Sequence, residues 1–306
     1  MNTSNNGQPA NLTSADDPSK LRMSPRETAE ELGPRFEREK RAMTRQREGN
    51  LDPALAPFRV GCVPYLNAAP LIRGLEEQLI YAHPSELARR LQQNELDAAL
   101  VSITEVILHD SCDVLDGIAI ASLGEVQSVL LAHRRPLKEI QVVHADPASL
   151  ASVQLLRVLL AEMGLFPEWK PLASYESAAL PDYALLIGDQ ALNLLLGPHD
   201  QETWDLGAAW LELTQLPFVY AAWALRRRVD NERLRRQLRE AKDFGMDTLE
   251  HIIDSRTDYD RNFRKDYLGW HIHYHLGSDE KRGLAKFIEL LNKHGFGPAH
   301  APQFVA

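Results

Sequence analysis

The chain has 306 residues, 44% of them hydrophobic and 25% charged, with a formal net charge of −9 and two cysteines. That length accommodates two lobes with a core of ordinary size. Two cysteines exclude a disulfide framework, the acidic balance excludes the basic stripe of a nucleic-acid surface, and no run reaches the roughly 18 apolar residues of a membrane span.

Residues 1–57 are rich in Asn, Ser, Pro and mixed charge. Glu27–Arg47 has helix-forming composition but no apolar stripe, so the segment reads as a polar N-terminal extension, expected to be disordered. A start at Met23 or Met43 would keep everything downstream. The first residues carry no apolar h-region, which argues against a secretory signal and for a cytoplasmic protein.

The ordered part is expected to begin at Phe58. Phe58–Val63 reads as a strand, Pro64–Asn67 as a turn, and Pro70 as the opening of a helix. Ile80–His83 is a short strand, followed by a helix from Pro84 to Gln93 with Leu87 and Leu91 four apart. Asp97–Ser102 is a buried strand, and a helix and a strand at Ile118–Ser122 follow. Val126–Ala132 is a long apolar strand. Then come a strand at Ile140–His144, a helix from Leu150 to Met163 closed by Gly164, a strand at Tyr183–Gly188, and a helix from Gln190 with Asp189 as its cap. Phe218–Ala224 is a second long apolar strand, and from Asn231 onward the pattern is helical.

Alternating strands and helices predict an α/β fold with mostly parallel sheets. The two long strands bracket one compact unit, as when a chain crosses from one lobe to another and back. The predicted domains are therefore 58–130 with 222–306 as a discontinuous first lobe, and 131–221 as a continuous second lobe. A ligand is expected in the cleft between them. An anionic small molecule is admissible there if local amides and polar groups hold it.

Five segments in order resemble the chorismate dehydratases of the futalosine route to menaquinone. They are Val60–Leu71, Leu96–Ser102, Gly124–Val129, Leu186–Leu192 and the block Asp205–Trp210 continuing through Leu216-Pro217-Phe218-Val219 to Trp223. The resemblance covers about residues 58–297. It implies a type II periplasmic-binding-protein fold and a hydro-lyase that dehydrates chorismate to 3-[(1-carboxyvinyl)oxy]benzoate without cofactor or metal. Its partner would be that dianionic substrate, with no nucleic acid or membrane involved and the chain working as monomer or homodimer. Because the product ring is aromatic, the task is to hold a dianion, remove one proton and help hydroxide leave. The substrate's own enolpyruvyl carboxylate can serve as base, so neutral hydrogen-bonding groups suffice.

The resemblance assigns Asn67 and Ser128 as catalytic residues. From sequence alone, a turn asparagine bonding its own backbone is the favoured reading of Asn67, and a strand serine satisfied by a neighbouring backbone group is the alternative for Ser128. Tyr65, Ser102, Ser149, Ser152 and Asp189 are the candidate substrate contacts. Ser149 and Ser152 flank a helix start, where free amides suit a carboxylate, and Ser102 ends a strand, where α/β ligands lie. The family commonly carries Ser-Arg-Thr-Ser where this chain has Ser149-Leu150-Ala151-Ser152, which alters the second-lobe contacts. Gln215 stands where the family usually has glycine. His271, His273 and His275 would share a strand face, but the region resembles a family segment that is not a metal site, and no Cys or carboxylate set at zinc spacing accompanies it, so no metal site is expected. The rival readings are a small-anion binding protein of the same fold and the sister enzyme that makes dihydroxynaphthoate. The latter's N-terminal strand carries a Ser-Pro-Cys-Pro-Asn-Asp type motif that Val63–Asn67 does not match.

Overall fold

The computed structural model describes residues 55–146, 150–227 and 231–306. Most of the extension, residues 1–54, lies outside the described residues. Leu55, assigned to that extension by composition, is buried at 2% exposure, and its N–H donates to Gln78 Oε1. The folded unit therefore starts slightly earlier than Phe58.

The first lobe opens with β1 (Val60–Cys62), a 3-10 turn at Leu66–Leu71, β2 (Ile80–Tyr81), α1 (Pro84–Gln92), β3 (Ala98–Ser102), α2 (Ile103–Leu108) and β4 (Cys112–Ser122). The second lobe holds β5 (Val129–His133), β6 (Val142–Ala145), α3 (Leu150–Glu162), β7 (Glu168–Pro171), β8 (Tyr183–Ile187), α4 (Gly188–Leu196) and β9 (Glu202–Asp205). The chain returns through α5 (Leu206–Thr214) to β10 (Phe218–Arg226). It then runs through α6 (Glu232–Asp247), α7 (Leu249–Ser255), α8 (Arg261–Asp266), a π-helical turn at Tyr267–His271, α9 (Ser278–Lys293) and β11 (Phe304–Val305).

The two sheets share one plan. The first has the order β11-β4-β10-β3-β1-β2, with β1 parallel to β2 and β3, and β10 antiparallel to β3 and β4. The second has the order β7-β6-β8-β5-β9, with β6 parallel to β7 and β8, and β5 antiparallel to β8 and β9. Each lobe thus carries a βαβ core into which the strand arriving from the other lobe inserts antiparallel. Strands such as β3, with Ala98–Val101 all buried, read as unbroken apolar runs because helices cover both faces. Helix α3 is apolar around most of its circumference for the same reason.

Both long apolar strands are present, and the change of sheet falls just before each one. It occurs at Leu123–Ser128 ahead of β5, and through α5 ahead of β10. Sheet membership therefore starts the second lobe at Val129 and returns to the first at Phe218, where the pattern had drawn the lines after residues 130 and 221. Pro70 lies inside the 3-10 turn and does not open a helix. Gln215 has φ 58°, the left-handed conformation that a family glycine would take without strain, and it caps α5 through its N–H to Leu211 O.

The lobes are also tied away from the cleft. Lys293 Nζ and His294 Nε2, at the end of α9, lie 2.7 and 2.5 Å from Glu162 Oε1 at the end of α3. The Arg157 guanidinium sits over the rings of Trp169 and Phe296.

One glycine sets the position of the turn that carries Asn67. A Cβ on Gly245 of α6 would lie 1.8 Å from Pro70 O. Gly245→Ala is therefore expected to lower stability by about 3 kcal/mol, the upper range for overpacking, and to displace the 66–71 turn. Urea unfolding reads this as a lower midpoint at unchanged slope.

Candidate active site

The site forms where the 3-10 turn after β1, the Leu123–Ser128 crossing and the π-helical turn meet. Asn67 Nδ2 donates to Tyr267 Oη at 3.2 Å. The Tyr267 hydroxyl also lies near Ser128, whose Oγ donates to Val126 O at 3.3 Å. Asn67, Tyr267 and Ser128 thus gather neutral polar groups from three separate elements at one place. Tyr267 and Ser128 are buried, at 1% and 3% exposure. Burial pushes the Tyr267 phenol up to about 12, against smaller opposing effects of Ser128 and Asn67, so it stays protonated at neutral pH.

Two acceptors in this region are shielded from water and have no hydrogen-bond partner among the described residues: Asn67 Oδ1 and Gln127 Oε1. Buried polar atoms are nearly always paired. An orphaned amide oxygen beside other neutral polar groups is therefore suited to a ligand hydroxyl.

The crossing has one anchor. Asp205 Oδ1 accepts from the N–H groups of Gly207 and Ala208 at 2.9 and 3.0 Å, capping α5. Its Oδ2 accepts from Gln127 N at 2.7 Å, and both oxygens lie 3.1 Å from Val126 N. One carboxylate thus binds the outgoing and the returning crossing together, and holds Gln127 in its left-handed conformation beside Ser128 (φ 61°). Burial pushes the Asp205 carboxyl above its ordinary value, opposed by these backbone donors.

The lobes touch at the cleft. The Tyr65 ring lies against Gly188, where an added Cβ would be 3.6 Å from it. Tyr259 Oη of the first lobe donates to Asp189 Oδ1 of the second at 3.3 Å. Burial raises the Tyr65 phenol, followed by the nearby charges of Asp146 and Asp189. Beside Tyr65 on the first lobe lies a cavity of about 450 Å³ whose lining includes Arg73, Tyr81, Ser255 and Arg256.

Of the residues expected from sequence, Asn67 and Ser128 are brought together, and Tyr65 lines the same cleft. Ser102 sits at the carboxyl end of β3, with its hydroxyl 2.7 Å from Thr104 Oγ1. Ser152 is buried in the first turn of α3. Ser149 lies outside the described residues. Asp189 is exposed in the first turn of α4 and is not its cap: the helix starts at Gly188 with Ile187 as N-cap. Its role in the fold is the bond to Tyr259. Tyr267, Tyr259, Gln127 and Asp205 carry no site assignment from sequence. The four-residue spacing of Tyr259, Phe263 and Tyr267 was a usable signal. Tyr259 meets Phe263 edge to face at 5.2 Å, and Phe263 stacks on Tyr267 at 5.6 Å, so the series carries the phenol of Tyr267 into the cleft.

The sequence of residues 58–293 matches the menaquinone biosynthesis protein family. The chain belongs to that family. A chorismate dehydratase of Thermus thermophilus is 32% identical over 274 residues, covering 82% of this chain and 99% of the relative. Among solved structures, a protein of Archaeoglobus fulgidus superposes with TM-score 0.63 at 19% identity, covering 78% of this chain and 98% of its own. The alkanesulfonate-binding protein of Xanthomonas axonopodis, bound to MOPS, gives TM-score 0.55 at 12% identity, covering 79% and 94%. At those identities the likeness is one of fold: two lobes of the binding-protein type, here in a menaquinone biosynthesis family member.

Proposed function

We propose that this family member is a hydro-lyase that dehydrates chorismate to 3-[(1-carboxyvinyl)oxy]benzoate in the cleft between the lobes. The observation that carries the reading is the orphaned Asn67 Oδ1, on an amide held by Tyr267 in the cleft between the lobes. The 32% identical chorismate dehydratase supports it. Asn67, Tyr267 and Ser128 contribute hydrogen bonds and no charge, as needed when the substrate's own carboxylate removes the proton and the protein fixes geometry. Asn67 Oδ1 accepts from the substrate hydroxyl in the ground state. The second Nδ2 hydrogen is placed to stabilise the departing oxygen, and the Ser128 hydroxyl can join it by turning from its 3.3 Å bond to Val126 O. The cavity beside Tyr65 carries Arg73 and Arg256, but these guanidiniums are already paired with Glu76 and Asp258, so they do not replace the family's second-lobe Arg-Thr pair.

On this reading the protein works in the cytoplasm on a dianionic small molecule, as monomer or homodimer, without a nucleic-acid or membrane partner. No helix among the described residues is long and apolar enough to cross a membrane. The test is incubation of the purified chain with chorismate and chromatographic analysis of the product. Formation of the carboxyvinyloxybenzoate supports the lyase. Saturable binding of chorismate with no turnover would instead favour a small-anion binding protein, the class of the alkanesulfonate-binding relative in fold.

A further inference from the structure

The His271–His275 run has no part in the proposed chemistry, and the structure divides it. His271 ends the π-helical turn, with Nδ1 3.0 Å from Glu125 O, and so belongs to the crossing. His273 and His275 stay together on the extended segment that follows, with rings 5.4 Å apart and nearly parallel at 18°. The carboxylate that sequence spacing did not supply comes from α9. Glu280 sits in its first turn and folds back, so that Oε2 accepts the N–H of Gly277 at 2.9 Å while Oε1 lies 3.1 Å from His275 Nε2. One ligating atom from each of His273, His275 and Glu280 lies within 4.8 Å of the other two. Glu280 is 4% exposed. His273 Nδ1 is shielded from water and has no hydrogen-bond partner among the described residues.

We propose that His273, His275 and Glu280 form a three-ligand site for a divalent transition-metal ion of the zinc type. Two imidazole nitrogens and one carboxylate oxygen, with water in the fourth place, are a tetrahedral zinc donor set. With bonds of about 2.0 Å, such ligands stand roughly 3.3 Å apart, and rotation of the exposed His275 ring closes the present spacing. The buried Glu280 carboxylate offsets part of the ion's charge, while His275 leaves the site open to water on one side. The cluster shares no residue with the Asn67–Tyr267–Ser128 group. His273 forms a two-way backbone bridge with Ala121, next to Ser122, where the crossing begins. A bound ion therefore clamps the 272–276 segment and the start of α9 onto the edge of β4, and its effect is on stability rather than on turnover.

The experiment uses the full chain, stripped with chelator and titrated with Zn²⁺ by calorimetry and with Co²⁺ by visible absorption. The expected result is one Zn²⁺ per chain with Kd of about 1 μM or tighter. The bands of four-coordinate Co²⁺ should appear, and Tm should rise by about 5 °C at a hundredfold excess over Kd. His275→Ala removes a ligand whose side chain is 60% exposed, so the fold should survive. Glu280→Gln keeps an amide oxygen for the Gly277 cap. Loss of uptake, or weakening by at least tenfold, in both folded variants supports the site. No stoichiometric uptake by the wild-type chain, or unchanged uptake in either folded variant, overturns it.

Discussion

Asn67→Ala is expected to lower kcat on chorismate by about 10²–10³, the effect of removing one preorganised donor from an elimination whose charge moves onto a leaving oxygen. The reason is specific to the placement of the amide. One Nδ2 hydrogen is committed to Tyr267, which fixes the plane of the group, while Oδ1 is buried without a partner among the described residues. The fixed plane keeps the remaining hydrogen aimed into the cleft before substrate arrives, so little reorganisation accompanies hydroxide departure. KM should change less than kcat, because an interaction that strengthens in the transition state appears mainly in kcat. Ser128→Ala should give a mixed pattern, with kcat lower and KM higher. Its side chain lies beside Tyr267, and its backbone carbonyl accepts from Gly188 N at 2.8 Å, at the junction with the second lobe. Steady-state kinetics of both variants, with circular dichroism to confirm folding, check this. Two folded variants with wild-type kcat and KM would sink the site assignment.

The legible parts of this molecule are those where one local rule governs. The βαβ alternation, the apolar β3, β5, β8 and β10, and the amphipathic α1 follow from periodicity alone. β4 was half missed. Its first residues include Asp113 and Asp116, which break the apolar alternation, and the fold pairs them with Arg227 and Lys281, distant in sequence. β11 has two residues and gains strand character only by pairing with Val114 and Leu115. In the site, Asn67 and Ser128 were found through resemblance, since a turn asparagine and a strand serine carry no chemical signal by themselves. Tyr267 was not found because its role depends on a π-helical turn 200 residues from Asn67. The Asp205–Trp223 block was recognised as distinctive without a physical reason. The structure supplies one: Asp205 clamps the crossing, a Cβ on Gly207 would meet Gly124 O at 2.3 Å, and Trp210 fills the core between Phe218 and Phe287 with its N–H on Pro217 O. Glu280 was not legible beside the histidines because it lies at the start of a separate helix, which folds its carboxylate back to 3.1 Å from His275.

The clamp makes Asp205 the position where a single substitution should most disturb fold and function together. Asp205→Ala strips the acceptor from four backbone N–H groups, those of Val126, Gln127, Gly207 and Ala208. Loss of a helix cap alone is worth about 0.5–2 kcal/mol, and each buried donor left unpaired about 1–3 kcal/mol. The sum overstates the effect for two reasons. The variant also loses the desolvation penalty that raises the carboxyl's pKa, and the freed α5 amides can find water. We expect a net loss of about 4 kcal/mol, within the 3–5 kcal/mol seen when one partner of a buried charged network is removed. Asp205→Asn should fall between the two proteins: its one amide oxygen can keep the α5 cap, but its NH₂ cannot accept from Gln127. Both variants should lose activity beyond what their folded fraction explains, because Gln127 is held left-handed by this bond and Ser128 follows it directly. The measurement is the urea midpoint at unchanged slope, with kinetics under conditions where each variant is fully folded. An alanine variant within about 1 kcal/mol of the wild-type protein, or one that is folded and fully active, would show that the two crossings hold their register without the carboxylate.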